Sequence, residues 1–258
     1  MPSHYAHYRF GAAAIPSFPP QVQRAIRQFR PLYDAGLCGP DIFYFYVLPM
    51  KGRVNALGSK FHNMTGQDFF QRVCKHLRPE PNEAAMAYLY GVLAHYCLDS
   101  NLHGFVFENT ADGEIGHIEL EAEFDRYLLR LDGRPRPHTR GGSAERKLTP
   151  GECATVAEFY GTSPAYVSLS LQCMAANAKL VAASNPELRK LVKKFAGEKM
   201  RQNFTERTPN PKCAHLDEPM LALYDEALER LPAMMDALLA HMSHNAPLGE
   251  LFEATFNG

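Results

Sequence analysis

The pattern of apolar and polar positions predicts helices along most of the chain. From Ala84 to Leu98 no Asp, Glu, Lys or Arg interrupts the sequence, which is typical of a helix buried on most of its circumference. Alternating strand patterns are nearly absent, so we expect an all-α fold built as a single multi-helix bundle. Helices are predicted near residues 20–29, 66–77, 83–104, 116–131, 150–160, 164–183, 186–201 and 218–243.

Helix start signals support several of these boundaries. In the stretch TPGE, Thr149 stands at a cap, Pro150 at the first helical position and Glu152 at the third. The stretches TGQD at Thr65 and NPEL at Asn185 are variants of this signal. The segment 131–148 accumulates Gly, Pro and like charges between two predicted helices, so we interpret it as a surface loop in preference to a linker between domains.

Three polar residues stand out in the apolar helix predicted near 83–104. His95, Asp99 and His103 follow one another at steps of four, and burying them costs free energy unless they are paired or bound to metal. Residues four apart lie about 40° apart in azimuth and about 6 Å apart along the axis, so the three form one polar stripe. His95 and His103 are then about 12 Å apart, too far to bind one zinc ion together. The spacing indicates Asp99 between two metals, or one metal near each end.

A second pair at the same step follows in the next predicted helix. His117 and Glu121 can chelate one ion from adjacent turns, leaving room for a third ligand such as His103 and for water. Upstream, Asp41 follows a Gly-Pro turn and His62 precedes a capped helix. Singly, each residue has an ordinary interpretation as a hydrogen-bonded core or surface residue. Together they favour a metal cluster in the core of the bundle.

Composition and charge narrow the partners and the compartment. A formal net charge of −1 with 21% charged residues gives no overall attraction to nucleic acid or an acidic membrane. The six cysteines are scattered without a C-x-x-C pair, as in proteins of a reducing compartment. The N-terminal stretch lacks a secretion signal and no run of 18 uncharged apolar residues occurs, so we expect a cytoplasmic protein without a transmembrane segment.

The order of these residues resembles the zinc-dependent phospholipase C family, which shares its helical fold and three-zinc centre with single-strand-specific nucleases. The thirteen-residue gap between His103 and His117 and the step of four inside each pair are similar to the phospholipase pattern. The resemblance covers roughly residues 1 to 130 by motif. It rests on His7, Asp41, His62, His95, Asp99, His103, His117 and Glu121.

The resemblance implies a ligand set for each of two or three zinc ions. A first zinc would be held by Asp41, His62, His95 and Asp99. A second would be held by His103, His117 and Glu121, and a third by His7 with Asp99 as the bridge. In the family an N-terminal tryptophan completes the third site, but this chain contains no tryptophan. The Pro2 amine, freed by removal of Met1, or the imidazole of His4 would be the substitute.

Two further departures from the family pattern are visible. The step from Asp99 to His103 is two residues shorter than in the secreted phospholipase, and we expect no export signal from the N-terminal stretch. We expect one zinc-dependent phospholipase C-like helical domain over residues 1–258, with metal motifs in 1–130 and packing helices in 150–258. Zinc suits mixed imidazole and carboxylate ligands, although manganese, iron or nickel also bind such sets.

The resemblance implies a hydrolase in which zinc-activated water attacks a phospholipid or a similar small phosphodiester. Asp41 would be the general base or a plain metal ligand. Phe43 and Tyr44, with Phe45 and Tyr46, would surround a lipid headgroup, stack on a base or belong to the core. The arginines of the 131–148 loop would hold an anionic group or remain solvated; they are Arg134, Arg136, Arg140 and Arg146.

Two alternatives to a phospholipase-type phosphodiesterase stay open. A nuclease or nucleotide phosphoesterase would use the same zinc centre, and a non-catalytic protein would keep zinc for stability or regulation. We expect a small phosphodiester or phospholipid as the partner and no stable nucleic-acid complex. The sequence leaves the oligomeric state open.

Overall fold

The computed structural model describes residues 4–46, 52–78, 82–134, 147–181, 186–195, 197, 201–202, 204, 206 and 208–258. Within these ranges the chain is helical and contains no strand, which confirms the all-α prediction. The α-helices are α1 His4–Ala14, α2 Pro20–Gln28, α3 Arg30–Gly36, α4 Arg53–His62, α5 Gly66–Leu77, α6 Glu83–Thr110, α7 His117–Leu131, α8 Pro150–Tyr160, α9 Pro164–Val181, α10 Pro186–Phe195 and α11 Asp217–His244. Short 3-10 helices cover Ile15–Ser17, Gly39–Phe45, Ala214–Leu216 and Glu250–Phe252.

Helix α6 is the centre of the bundle. Every residue from 85 to 99 is buried, as the uncharged stretch predicts, and α1, α2, α3, α8 and α11 pack around it. Asn82 caps its N-terminus, because the Asn82 side chain accepts hydrogen bonds from the amides of Ala84 and Ala85. A helix enclosed in this way presents its few polar side chains to the interior of the protein.

Two glycines allow α3 to approach α6 closely. A Cβ atom on Gly36 would lie 2.4 Å from the carbonyl oxygen of Tyr88, and one on Gly91 would lie 2.2 Å from that of Tyr33. Larger residues at either position would push the two helices apart. The chain that leaves α3 continues into the 3-10 helix Gly39–Phe45, which contains Asp41 and also contacts α6. The close contact between α3 and α6 therefore helps to position Asp41.

The sequence predicted eight of the described α-helices but missed α1, α3 and α4. Helices α1, α3 and α4 carry no cap signal of the Thr149 type, and the start of α1 is satisfied by a distant residue. The amides of Tyr5 and Ala6 at the start of α1 donate to the carboxylate of Asp125 in α7 at 3.2 and 2.8 Å. The caps expected at Thr65 and Thr149 are confirmed, while Asn185 lies outside the described residues.

A continuous hydrophobic cluster includes residues from Tyr5 to Phe256, and so joins both ends of the chain. This supports a single domain over residues 1–258, which stays a prediction. No helix in the described part of the chain has the length and apolar character that a membrane crossing requires.

Candidate metal centre

Helix α6 contributes three buried side chains to one stripe, as its spacing predicts. Asp99 lies between the two histidines: its Oδ2 atom is 3.1 Å from His95 Nε2, and its Oδ1 atom is 3.8 Å from His103 Nε2. All three residues are at most 6% exposed. One carboxylate therefore faces two different sets of neighbours.

The first group consists of Asp41, His62 and His95, which come from the 3-10 helix Gly39–Phe45, from α4 and from α6. Their ligand atoms lie within 4.8 Å of one another. Asp41 Oδ1 is 2.9 Å from His62 Nε2, and Asp99 Oδ2 is 3.8 Å from the same nitrogen. Asp99 Oδ2 therefore lies next to two members of this group, His62 and His95, as expected for a ligand that is shared with a neighbouring group.

Backbone carbonyls orient the two imidazoles of this group. His62 Nδ1 donates to the carbonyl oxygen of Gly58 at 2.7 Å, and His95 Nδ1 donates to that of Leu37 at 3.2 Å. A hydrogen bond at Nδ1 fixes the tautomer and leaves the Nε2 lone pair directed at the group. Gly39 makes room for this arrangement, since it has a φ of 49° and a Cβ there would lie 2.5 Å from the His95 ring.

The second group consists of His7, His95 and Asp99. His7 Nε2 lies 2.9 Å from Asp99 Oδ1, and the rings of His7 and His95 stack with centroids 4.5 Å apart. His95 therefore belongs to two groups, and Asp99 presents one oxygen to each side.

The third group consists of His103, His117 and Glu121. Glu121 Oε1 lies 3.3 Å from His103 Nε2 and 3.4 Å from His117 Nε2. The side chain of His117 is 27% exposed, so this group opens toward solvent. Phe107, which is 46% exposed, packs on the rings of both histidines at this opening.

The donor set and its spacing fit zinc. Four ligands at 2.0–2.1 Å around a tetrahedral ion lie about 3.3 Å from one another. The carboxylate–imidazole contacts of the centre span 2.9 to 3.8 Å, and all ligand atoms of each group lie within 4.8 Å of one another. Asp41 Oδ1 is 2.9 Å from His62 Nε2 and His95 Nε2 is 3.1 Å from Asp99 Oδ2. Yet neither Asp41 Oδ1 nor His95 Nε2, both buried, makes a well-directed hydrogen bond to a described residue. Because unsatisfied buried polar atoms are costly, both atoms favour an ion at this position.

The electrostatics keep the carboxylates in the form that binds metal. Burial raises the pKa of Asp99, but the imidazoles of His103, His95 and His7 outweigh it and hold the pKa well below its usual range. Asp41 shows the same balance, with burial opposed chiefly by its contact with His62, and its pKa is lowered.

Glu121 and His103 form the equivalent pair in the third group. Burial acts against the charge of Glu121, yet contacts that include His103 and His117 bring its pKa well below the ordinary value. Burial lowers the pKa of His103, but Asp99 and Glu121 outweigh it and the net shift is upward from 6.5. The carboxylates of Asp99 and Glu121, which flank His103, therefore keep the negative charge that attracts a cation.

His4 lies close to the centre but outside the three groups. Its Nε2 atom is buried without a hydrogen-bond partner among the described residues, and its ring packs on Phe45 at 5.5 Å. Burial lowers the pKa of His4 to about 4, which keeps the imidazole neutral, as a metal ligand must be. Its role as a third-site ligand stays a prediction. The alternative ligand, the Pro2 amine, lies outside the described residues.

The two aromatic residues expected at the substrate have different positions. Phe43 is 0% exposed and packs edge-on against Tyr160, which favours a packing role over contact with a substrate. Tyr44 is half-buried, and its hydroxyl oxygen lies 3.4 Å from His62 Nδ1. Of the loop arginines, Arg134 is exposed, while Arg136, Arg140 and Arg146 lie outside the described residues.

Sequence reasoning missed the residues that support the ligands. The carbonyls of Gly58 and Leu37 carry no sequence signal, because any residue supplies a carbonyl. Phe107 was detectable in principle, since it follows His103 by four positions on α6 and so lies on the same face.

An all-helical bundle with adjacent groups of imidazoles and carboxylates in its core has the ligand arrangement of helical proteins that bind clustered metal ions. A family model of the zinc dependent phospholipase C matches residues 3–172, which is more than half of the chain. The chain therefore belongs to the zinc-dependent phospholipase C family. Comparisons with curated proteins and with solved structures gave no match.

Zinc binding is expected to weaken in acid because protons compete for His103. The pKa of His103 is raised above 6.5. At a pH below this pKa the ring carries a proton, which zinc must displace in order to bind. Each displaced proton lowers the apparent affinity about tenfold per pH unit. Competition against a zinc chelator dye from about pH 8 to pH 5 measures this slope. A pH-independent affinity for the wild type would contradict the expectation, and His103→Gln is expected to flatten the slope and to weaken binding at pH 8.

Proposed function

We propose that the chain is a zinc-dependent phosphodiester hydrolase of the phospholipase C type, acting on a phospholipid or a similar small phosphodiester. The observation that carries the proposal is the sharing of His95 and Asp99 between neighbouring groups of ligand atoms. Adjacent sites of this kind hold ions close enough to act on one phosphoryl group. Membership of the family supports the same chemistry.

The proposed ligands follow the three groups. Asp41, His62 and His95 hold one ion with Asp99, and His103, His117 and Glu121 hold another. His7 and Asp99 hold a third, which His95 also borders. Bound zinc supplies positive charge that polarises the phosphoryl oxygens, lowers the pKa of water and stabilises the leaving oxygen.

The protein's own contribution is to orient donors and keep them deprotonated. The carbonyls of Leu37 and Gly58 accept hydrogen bonds from Nδ1 of His95 and His62, so each Nε2 is directed at the first group and would be free to bind an ion there. The lowered pKa of Asp41 favours its role as a ligand, because a carboxylate with a lowered pKa accepts a proton less readily. The general-base role of Asp41 stays a prediction.

Tyr44 is the candidate for contact with the substrate. Burial raises the pKa of its hydroxyl to about 12, so the group keeps its proton at neutral pH. A neutral hydroxyl beside His62 can donate a hydrogen bond to a phosphate oxygen or a headgroup. A cytoplasmic location and the absence of a stable nucleic-acid complex stay predictions of the sequence.

Zinc content and substrate screening test the proposal together. Protein purified without an affinity tag or chelator is expected to carry two or three zinc ions per chain by elemental analysis. The loaded protein is then offered phosphatidylcholine, a soluble short-chain phosphodiester and single-stranded nucleic acid. Release of a phosphomonoester from either of the first two supports the proposal. Cleavage of nucleic acid alone would select the nuclease alternative, and bound zinc without turnover would select a non-catalytic role.

A further inference from the structure

Helix α10 presents an exposed surface that combines apolar and basic residues. Leu191 is 54% exposed and Phe195 is 77% exposed, and their spacing of four puts them on one face. Lys190 and Lys194 are also exposed. On a helix of 3.6 residues per turn these four side chains span about 140° of the circumference, with the lysines along one edge of the apolar pair.

The charge of α10 differs from that of the chain as a whole. Residues 187–195 contain Arg189, Lys190, Lys193 and Lys194 against the single acidic residue Glu187, whereas the whole chain has a net charge of −1. A short basic helix with exposed Leu and Phe is typical of elements that lie in the headgroup region of a membrane. Protein interfaces, by contrast, are depleted in lysine. The composition of this surface therefore favours a lipid surface over a protein partner.

Helix α10 contacts a segment that borders α7. Lys193 forms an ion pair with Glu206 and lies 5.3 Å from the ring centroid of Phe204. Phe204 and Glu206 line a cavity together with Glu119 of α7, the helix that begins at His117. The segment that α10 contacts therefore borders α7, the helix that carries the candidate ligands His117 and Glu121.

We propose that α10 docks the protein onto an anionic lipid surface, with Leu191 and Phe195 inserted among the headgroups and Lys190 and Lys194 paired with lipid phosphates. The choice of lipid rests in part on the proposed function, because a hydrolase of membrane phospholipids must reach its substrate at an interface. Binding itself needs no turnover and can be measured separately. Helix α10 also lies beyond residues 3–172, the range that the family model matches.

Vesicle binding tests the proposal. The wild-type chain is mixed with vesicles of phosphatidylcholine alone and with vesicles that also contain phosphatidylserine, and the bound fraction is measured by sedimentation. We expect binding to the anionic vesicles that weakens as salt is added. Leu191→Ser/Phe195→Ser is expected to weaken binding about tenfold. Lys190→Glu/Lys194→Glu is expected to weaken it about thirtyfold or more.

Matched controls come from exposed positions on other helices and loops. Leu131→Ser removes an apolar side chain that is 50% exposed, and Lys75→Glu/Lys147→Glu makes the same change of charge away from α10. Both controls are expected to bind vesicles as the wild type does. Equal losses in the controls and the α10 variants would overturn the proposal, because the binding would then depend on overall charge.

The outcomes for lipid docking and for hydrolysis are distinguishable. Hydrolysis of a soluble short-chain phosphodiester without vesicle binding would overturn the docking proposal and leave the proposed function intact. Vesicle binding lost in the α10 variants supports docking even if no phosphodiester is hydrolysed. A wild-type dimer that Leu191→Ser/Phe195→Ser converts to a monomer, without vesicle binding, would identify the surface as a contact between copies and overturn the proposal.

Discussion

Replacing Asp99 by alanine is expected to lower the bound zinc to about half of the wild-type value or below, and phosphodiester hydrolysis about 10³-fold or more. Asp99 Oδ1 lies near His7 and His103, and Asp99 Oδ2 lies near His95 and His62. Loss of one carboxylate therefore removes negative charge from every group at once. Elemental analysis measures the zinc content independently of any assay of activity.

Asp99→Asn and Glu108→Gln sharpen this experiment. Asparagine keeps the size of Asp99 but removes the charge and one ligand oxygen, so we expect nearly the same loss of zinc as with alanine. Glu108 is an exposed carboxylate on the same helix, and its replacement by glutamine is expected to change neither zinc nor activity. Full zinc occupancy in Asp99→Asn would contradict the role of Asp99 as a shared ligand. Far-UV circular dichroism verifies that each variant remains helical.

The parts of the centre that depend on regular helix geometry could be predicted from the sequence. A step of four on a helix brings His95 to Asp99 and His117 to Glu121 whatever the rest of the fold does. The burial of α6 was equally readable, because an uncharged stretch of this length has no polar face to expose.

The meeting of the three groups could not be derived from local spacing. Asp41, His62 and His7 come from elements that long-range contacts hold in place. At the start of α1, the helix that carries His7, two backbone amides donate hydrogen bonds to the carboxylate of Asp125. The side chain of Asn55 in α4 donates to the carbonyl of Phe43 at 3.0 Å, and so ties α4 to the segment of Asp41. Such contacts depend on residues far apart in sequence. From the sequence alone, only the resemblance to a family placed Asp41, His62 and His7 in the same centre as the ligands of α6.

The contact between α3 and α6 gives the largest expected effect on stability. Gly91→Ala would place a Cβ atom 2.2 Å from the carbonyl oxygen of Tyr33, and backbone on backbone cannot yield as a flexible side chain can. We expect a loss of about 3 kcal/mol or more in the free energy of unfolding, a large share of the 5–15 kcal/mol typical of a domain. Urea denaturation with chelator present measures this loss without a contribution from bound zinc.

The same substitution is expected to weaken the metal centre, because α3 positions the Leu37 carbonyl that orients His95. Gly104→Ala on α6 is the matched control, since a Cβ there meets no atom within 4 Å. Alanine at this exposed helical position is expected to stabilise the fold by about 0.5–1 kcal/mol. A Gly91→Ala variant as stable as the wild type would mean that α3 and α6 can separate at little cost. Unchanged zinc content in Gly91→Ala would show instead that the Leu37 carbonyl is dispensable for holding His95.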